Sequence, residues 1–597
     1  MGDLVSLTYP MVPIVALPLL VLTLLVLMMS LSGWGQVLVH GHEQSSPTFF
    51  ALVIVGLLPL AGLGLLIDFG LPISPRISGI AILFGLGCLA YRWKRVWSSL
   101  GDRPILLLAL MAVLSVFVVM GAVLTPLNYD TGLYHLQAIS WLEHDRKVFG
   151  LANLHARLGF NSIWLDDAAL LDFWRHGRYG VFLLNGTLYV AVLSDMVQAL
   201  LARELHFRGE FAVRIYAGFS LVVLLINADF LLFSWVGASP NNDMPVALLV
   251  IYAFWLFLRF SHGSPSGPRD YRDRLVLLAG VCVLATMTKL SAFPILLLLP
   301  AAAYIAVGAG TGLRRLIGNP GLVFVALVVF VWLANGLATS GCLLFPSAAS
   351  CFPALPGSVP STVAHFTAAA ITGWARSPTS DYLAAANGWS WIDSWPEKML
   401  ARRPYIASIC TTFAILLALL ACSLICNRMA TARSARTTRR GLEEEGICLY
   451  GIAVSGAGIV FWFLLAPDPR FGLGFLLSIV LLASCWIVVR FSPQATAAQK
   501  LTSTPMAVAL VIAVAGLYIE GHRHSAMLAA KSWPSIPVAD VRKVALGPEF
   551  PAFTPTTSDQ CWDAALPCTP EGVESRALLQ KSFLLWRTIE SYPSPVH

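Results

Sequence analysis

Charge is what this chain has least of. Lys, Arg, Asp and Glu make up 12% of its 597 residues, against 57% hydrophobic residues. Average soluble domains carry about 25% charged residues. So few charges cannot cover a water-exposed surface, which excludes a soluble multidomain enzyme, and the apolar excess excludes intrinsic disorder. The start, MGDLVSLTYP, has no Lys or Arg, which argues against a cleaved secretory signal with its basic n-region. The chain shows no evident repeat, Walker motif or nucleotide-binding glycine fingerprint. The short alternating segments of a transmembrane β-barrel are also missing.

What is present is apolar sequence in runs of roughly 17–25 residues, long enough to cross a bilayer as helices. The expected fold class is an all-α polytopic membrane protein. About fourteen transmembrane helices are expected, near 11–31, 48–67, 77–93, 105–124, 179–202, 211–233, 244–261, 274–290, 293–310, 320–339, 404–426, 447–466, 473–491 and 505–520.

The net charge is +7, and its location carries the information. Basic residues cluster in the short loops Arg92–Arg103, Arg203–Arg208, Arg259–Arg274, Arg314–Arg315 and Asn427–Gly446, the last holding Arg428, Arg433, Arg436, Arg439 and Arg440. Span parity allows all of them on one side, which the positive-inside rule makes cytoplasmic. Three long segments, 125–178, 341–403 and 521–597, then lie outside, with both termini.

Cysteine usage agrees. Of 11 cysteines, seven lie in or beside apolar runs and read as small buried hydrophobes. The other four form two close pairs in the outer segments, Cys342 with Cys351 and Cys561 with Cys568. Oxidising compartments permit disulfides, so both pairs are expected as local bridges. A metal site is the rival, but no His or third Cys stands at ligand spacing.

The outer segments are patterned. LYHLQAISWLEHDRKV has apolar residues at 133, 136, 139 and 142, the spacing of an amphipathic helix suited to a membrane surface. A second such helix is expected through DDAALLDFW. Residues 341–403, with Trp374, Trp389, Trp391 and Trp395, suit an interfacial cap, and 521–597 a small disulfide-pinned tail.

Because charge is scarce, each isolated charge on the outer side is informative. Four motifs fall there: Asn128-Tyr129-Asp130-Thr131-Gly132-Leu133-Tyr134-His135, Asn241-Asn242-Asp243-Met244-Pro245, Thr288-Lys289-Leu290 and Pro467-Asp468-Pro469-Arg470-Phe471. A carboxylate that takes a proton, beside cations that hold a phosphate, is what sugar transfer from a lipid phosphate requires. Each residue also has a plainer reading. Asp130 and Asp243 can cap the helices that follow them. Lys289 and Arg470 can snorkel to lipid headgroups. His135 and His155 can be packed polar groups. Arg157 can hold a carboxylate of its own loop or contact substrate. His40, His42 and Glu43 resemble a metal cluster but fit a solvated cytoplasmic loop better.

The same four motifs resemble the GT-C superfamily of membrane glycosyltransferases, similar in plan to protein O-mannosyltransferases and aminoarabinose lipid A transferases. NYDTGLYHLQAISWL resembles their acidic first outer loop, NNDMPVALL an Asp-x-Pro-like span opening, TMTKLSAFP their Thr-Lys turn, and PDPRFGLGFLLSI their Arg-aromatic opening of a late span. NLHARLGFNS and CWDAALPC further resemble a family of uncharacterised bacterial GT-C-like membrane proteins. The likeness covers roughly 105–490. Residues 1–104 then read as added N-terminal helices, 105–340 as the GT-C-like core with its outer loop 125–178, 341–403 as a cap loop, 404–520 as C-terminal helices and 521–597 as a periplasmic tail. Two departures stand out. The acidic loop follows the fourth span rather than the first, and Thr131 stands where a second acid is often found.

The resemblance implies an inverting transferase in the bacterial inner membrane with its site facing the periplasm. Its partners would be the lipid bilayer, a polyprenyl-phosphate-linked sugar donor and a lipid or glycan acceptor, with no nucleic acid. Asp130 would be the base, and Lys289 and Arg470 would bind the donor phosphate. Tyr129, Tyr134, His135, Arg157, Asn242 and Asp243 would bind substrate. The resemblance specifies no cofactor and leaves metal dependence open; Asp243 could help hold a divalent cation. A lipid-linked glycan polymerase or ligase is the enzymatic alternative. A secondary transporter or flippase would show repeats and mid-membrane charges, and an assembly factor would not need the four motifs to converge.

Overall fold

The computed structural model describes residues 13–39, 47–100, 104–123, 128–174, 178–201, 208–227, 238–262, 267–379, 381–401, 439–491, 536–546, 551–570, 578–583 and 586–591, with scattered positions between 406 and 417. The expected spans 404–426 and 505–520 lie wholly or largely outside these residues, as do His40, His42, Glu43, Arg428, Arg433 and Arg436.

Helices dominate. Those that matter here are α1 (Pro13–Leu38), α2 (Phe49–Asp68), α3 (Pro75–Tyr91), α4 (Pro104–Ala122), α5 (Leu136–His144), α6 (Ile163–Leu171), α7 (Tyr179–Leu201), α8 (Arg208–Ile226), α9 (Asp243–His262), α10 (Pro268–Thr288), α11 (Leu298–Gly308), α12 (Pro320–Ser340), α13 (Ser361–Arg376), α14 (Arg439–Leu465) and α15 (Pro469–Phe491). Among the described residues, nine helical segments are long and apolar enough to cross a membrane. They fall within α1, α2, α4, α7, α9, the 290–308 segment containing α11, α12, α14 and α15. The expected spans at 77–93 and 211–233 are shorter apolar helices in α3 and α8.

Helix ends follow local chemistry. Thr48 accepts from Ala51 N at the start of α2, and Asn319 accepts from Gly321 N and Leu322 N ahead of Pro320 in α12, the side-chain capping that orphan amides need. α1 packs closely on α2 and α3. A Cβ on Gly33 would stand 1.8 Å from the Gly85 carbonyl oxygen, so the α1–α3 crossing requires glycine there. α2 is buried along nearly its whole length against α6, α7, α10 and α12. α15 packs on α14, α9 and α8.

One expectation about the outer segments needs correction. The amphipathic helix at 133–142 was expected on a membrane surface. It is instead a π-helical turn, Thr131–His135, followed by α5, and both are largely buried inside the protein. Its polar face meets the C-terminal tail, which accounts for the burial: Gln137 Nε2 donates to the carbonyls of Trp562 (3.2 Å) and Ala564 (2.9 Å). The tail, expected as a small disulfide-pinned segment, carries strands where described. It forms antiparallel pairs of β1 (Val541–Ala545) with β2 (Pro551–Pro555) and of β3 (Leu578–Phe583) with β4 (Trp586–Ser591). Leu546, Ala552 and Ile589 share a small core with Leu133, Tyr134, Trp141, Val148, Leu151, Leu154 and Leu158.

A buried ion group ties these parts together. Arg178 pairs with Glu143, with Asp172 at 3.2 Å and with tail Asp563 at 2.8 Å. Burial works against the Arg178 cation, but the surrounding carboxylates outweigh it and raise its pKa. Arg178→Met would leave Glu143 and Asp172 buried without their cation. Breaking a buried pair in this way costs about 3–5 kcal/mol, so a marked fall in the thermal midpoint of the purified protein is expected. An unchanged midpoint would show that the group is not structural.

Candidate functional site

The chain reverses near one end of the bundle at four places, and the isolated charges meet there. Asp130 opens the turn that follows α4. Asn128 Oδ1 accepts from Thr131 N at 3.2 Å, and Asp130 makes no side-chain capping bond. The Asp130 carboxylate is therefore left for ion pairing, with Arg157 Nη1 at 2.6 Å and Arg470 Nη1 at 3.6 Å. The same division of labour recurs at α9. Asn241 Oδ1 accepts from Asp243 N at 2.6 Å, while the Asp243 carboxylate pairs with Lys289 and lies 4.0 Å from Arg470 Nη1. In both motifs an asparagine does the capping and the aspartate points elsewhere.

Lys289 and Arg470 face carboxylates and one aromatic ring. The Phe471 ring stands between them, 3.7 Å from Lys289 Nζ and 4.6 Å from Arg470 Cζ, in cation–π contact with both. Arg470 Nε is also 3.4 Å from the carboxylate of Asp468, which is fully buried. The result is a continuous group of three carboxylates (Asp130, Asp243, Asp468) and three cations (Arg157, Lys289, Arg470), formally neutral as a whole. Its upper rim is open, with the side chains of Arg157 40% and Arg470 22% exposed.

The support around the group explains its geometry. Ser162 Oγ donates to Thr288 O at 2.8 Å. Asn242 Nδ2 reaches Ser162 Oγ (3.5 Å) and Thr288 O (3.4 Å), so Asn242 binds α9, α10 and the 155–162 loop together. Trp395 Nε1 donates to Pro467 O (3.0 Å), and Trp462 Nε1 to Asp468 O (2.6 Å), which fixes the turn before Arg470. The interfacial segment expected at 341–403 thus reaches the site through Trp395.

Tyr134 and His135 are buried behind Asp130, their rings 4.3 Å apart, with the Arg157 guanidinium 5.8 Å from the Tyr134 ring centre. Burial pushes His135 down to about 4 despite the nearby Asp130 and Asp243, so its imidazole is neutral at physiological pH. Neither ring nitrogen has a hydrogen-bond partner among the described residues. For Asp130, burial alone would raise the pKa, but Arg157 and Arg470 outweigh it and hold the carboxyl below its ordinary range. Tyr129 is exposed, and its hydroxyl pairs with tail Asp559. Both expected cysteine pairs, Cys342–Cys351 and Cys561–Cys568, are closed disulfides.

Among the described residues there is no group of three or more His, Cys, Asp or Glu able to hold a metal ion. Asp130 and Asp243 face cations, and Arg470 lies between them. That donor set does not fit a divalent cation.

A small cleft, open to solvent, adjoins the group, bounded by Asp68, Trp141, Lys147, Asn161, Ser162 and Asp166 among others. Asp130, Asp243, Lys289 and Arg470 are not in its wall, and Ser162 is the link. Burial pushes Asp166 up to about 8, against Lys147 and with help from Asp68. The folded protein thus holds this proton where an unfolded aspartate, near 3.9, has released it. The Asp166 contribution to stability falls as pH rises from about 4 to about 8 and is level above that. Asp166→Asn should remove this part of the fall in the thermal midpoint between about pH 4 and about pH 8. An unaltered pH profile would show that Asp166 does not titrate there.

Sequence reasoning singled out neither Asp468 nor Phe471 by itself, although both stand in the PDPRF motif. It had no access to Asp559 as a partner of Tyr129, because the two are 430 positions apart.

No curated protein and no solved structure matches this chain. A family model described as a domain of unknown function, DUF8201, matches residues 18–477, a stretch containing all six charged residues of the group. With most of its length matched, the chain belongs to the DUF8201 family.

Proposed function

We propose that this protein is an inverting glycosyltransferase. It moves a sugar from a polyprenyl-phosphate donor to a hydroxyl of a cell-envelope lipid or glycan, at the periplasmic face of a bacterial inner membrane. One observation carries the reading: Asp130, Asp243, Lys289 and Arg470, drawn from four separate motifs, meet in one ion-paired group at one end of an apolar bundle.

The neutrality of that group suits the chemistry. In the resting site, Arg470 and Lys289 are held by carboxylates. A donor phosphate binding to these cations competes with Asp130 and Asp243 for them. Asp130 then loses part of the positive field that lowers its pKa and becomes a better proton acceptor once the donor is in place. The acceptor oxygen attacks the anomeric carbon, its proton passes to the Asp130 carboxylate, and the bond from that carbon to the phosphate oxygen breaks with inversion. The lipid phosphate leaves with its charge against Arg470, which can grip it bidentately, and Lys289, which acts as a point charge. Asp243 stays beside Lys289 and keeps it oriented.

The test is turnover in membranes or nanodiscs supplied with a panel of polyprenyl-phosphate-linked hexoses and pentoses and an envelope lipid extract. Release of free polyprenyl phosphate from at least one donor is expected. No release from any donor would overturn the reading.

A further inference from the structure

The residues around Asp130 are held by a part of the chain beyond the family match. The tail docks on the outer loop through its strands: Phe149 N donates to Arg587 O (2.9 Å), Ile589 N to Phe149 O (2.8 Å), and Arg587 pairs with Asp145 at 2.5 Å. The disulfide-closed loop Cys561–Cys568 and the residues just before it then reach farther, to both sides of Asp130. Gln560 Nε2 donates to Tyr129 O at 2.8 Å, and Asp559 takes the Tyr129 hydroxyl. Trp562 N donates to Gly132 O at 2.8 Å. The Trp562 ring lies so close to Gly132 that a Cβ there would stand 2.5 Å from it.

Trp562 itself has φ 48°, in the left-handed region that tryptophan rarely adopts unless its surroundings impose it. Its conformation is over-determined: the Cys561–Cys568 bond closes the loop, Gln137 donates to the carbonyls of Trp562 and Ala564, and Asp563 pairs with Arg178. On the other side of the contact is the π-helical turn Thr131–His135, an irregular helical form often found at functional sites.

We propose that the Cys561–Cys568 loop is a clamp that sets the backbone carrying Asp130, with Trp562 as its positioning residue. The strands anchor the tail, and the disulfide-closed loop delivers the indole to Gly132. Loss of the disulfide releases the loop while the tail remains docked. The proposal rests on packing alone and stands or falls independently of the transferase reading.

Hydrogen exchange read by mass spectrometry on the full chain in nanodiscs, without substrate, tests it. In Trp562→Ala and in the Cys561→Ser/Cys568→Ser double variant, exchange across 128–137 is expected to rise on the order of tenfold, while α7 and α9 keep wild-type protection. Trp562→Phe, which keeps a ring against Gly132, should restore most of the protection. Unchanged exchange across 128–137, an equal rise throughout the helices, or no rescue by Phe would overturn the clamp. Gly132→Ala gives a second route that does not depend on the Trp562 variant folding well. It should raise exchange in 558–564, and adding Trp562→Ala should produce less than the sum of the two effects, as for residues in direct contact. Strictly additive effects would overturn it.

Discussion

Asp130→Asn is expected to lower sugar transfer by on the order of 10²–10⁴, the usual contribution of a positioned general base, and to leave the protein inserted and folded. Asparagine matches aspartate in shape, and its Oδ1 can still accept from Arg157, so the contact at 2.6 Å survives in kind. What disappears is the proton acceptor. The helix start is unaffected, because Asn128 and not Asp130 caps it. The pH dependence has a definite sign. Arg157 and Arg470 overcome the effect of burial and hold the Asp130 pKa below its ordinary value. The free protein therefore keeps this carboxylate ionised down to below about pH 3.9, and on the proposed reading kcat/KM should show no acid limb from Asp130 above that pH. The pairing also adds stability that is fully present above the unfolded pKa and is lost as pH falls through the folded one. A donor phosphate that draws Arg470 away shifts the group upward, so the acid limb of kcat should lie at higher pH than that of kcat/KM. Full activity in Asp130→Asn would remove Asp130 as base.

Arg470→Lys is expected to lower kcat/KM for the lipid donor by on the order of 10²–10³, the cost of losing a preorganised contact to developing charge. Lysine keeps the charge, so Asp468, fully buried, is not stranded without a cation. It lacks the planar fork that lets one guanidinium lie within 3.4–4.0 Å of Asp468, Asp130 and Asp243 together. The loss should therefore appear in donor use and not in the thermal midpoint. Wild-type kinetics in Arg470→Lys would mean that positive charge alone suffices, and a collapsed midpoint would mean that Arg470 is chiefly structural.

Much of the site was legible because charge is so rare in this chain. Asp130, Asp243, Lys289 and Arg470 stand out in apolar surroundings, and span parity puts all four on one side. Their partners were less legible. Arg157 had two readings, a loop carboxylate or substrate, and the structure gives it the Asp130 carboxylate. Capping, the plainer reading of both aspartates, falls to Asn128 and Asn241, each two positions earlier, a choice that depends on turn geometry and not on residue type. The helical bundle followed from run length. The strands of the tail did not, because VRKVA and PAFTP are five residues each and lack a long alternating pattern. The burial of α5 was hidden for a related reason. Its polar face reads as solvent-facing until Trp562 and Ala564, more than 400 positions away, supply the carbonyls that Gln137 meets.

Equilibrium binding of sugar-free undecaprenyl phosphate, followed by native mass spectrometry on wild type, Lys289→Ala and Arg470→Lys, tests the central claim most directly, because it asks about the phosphate without knowledge of sugar or acceptor. Wild-type protein is expected to bind one lipid saturably. Each variant should bind it at least about tenfold more weakly, corresponding to about 1.4 kcal/mol, while undecaprenol without phosphate shows no difference among the three. Equal affinity of all three proteins for the phosphate lipid would contradict a donor-phosphate site at Lys289 and Arg470.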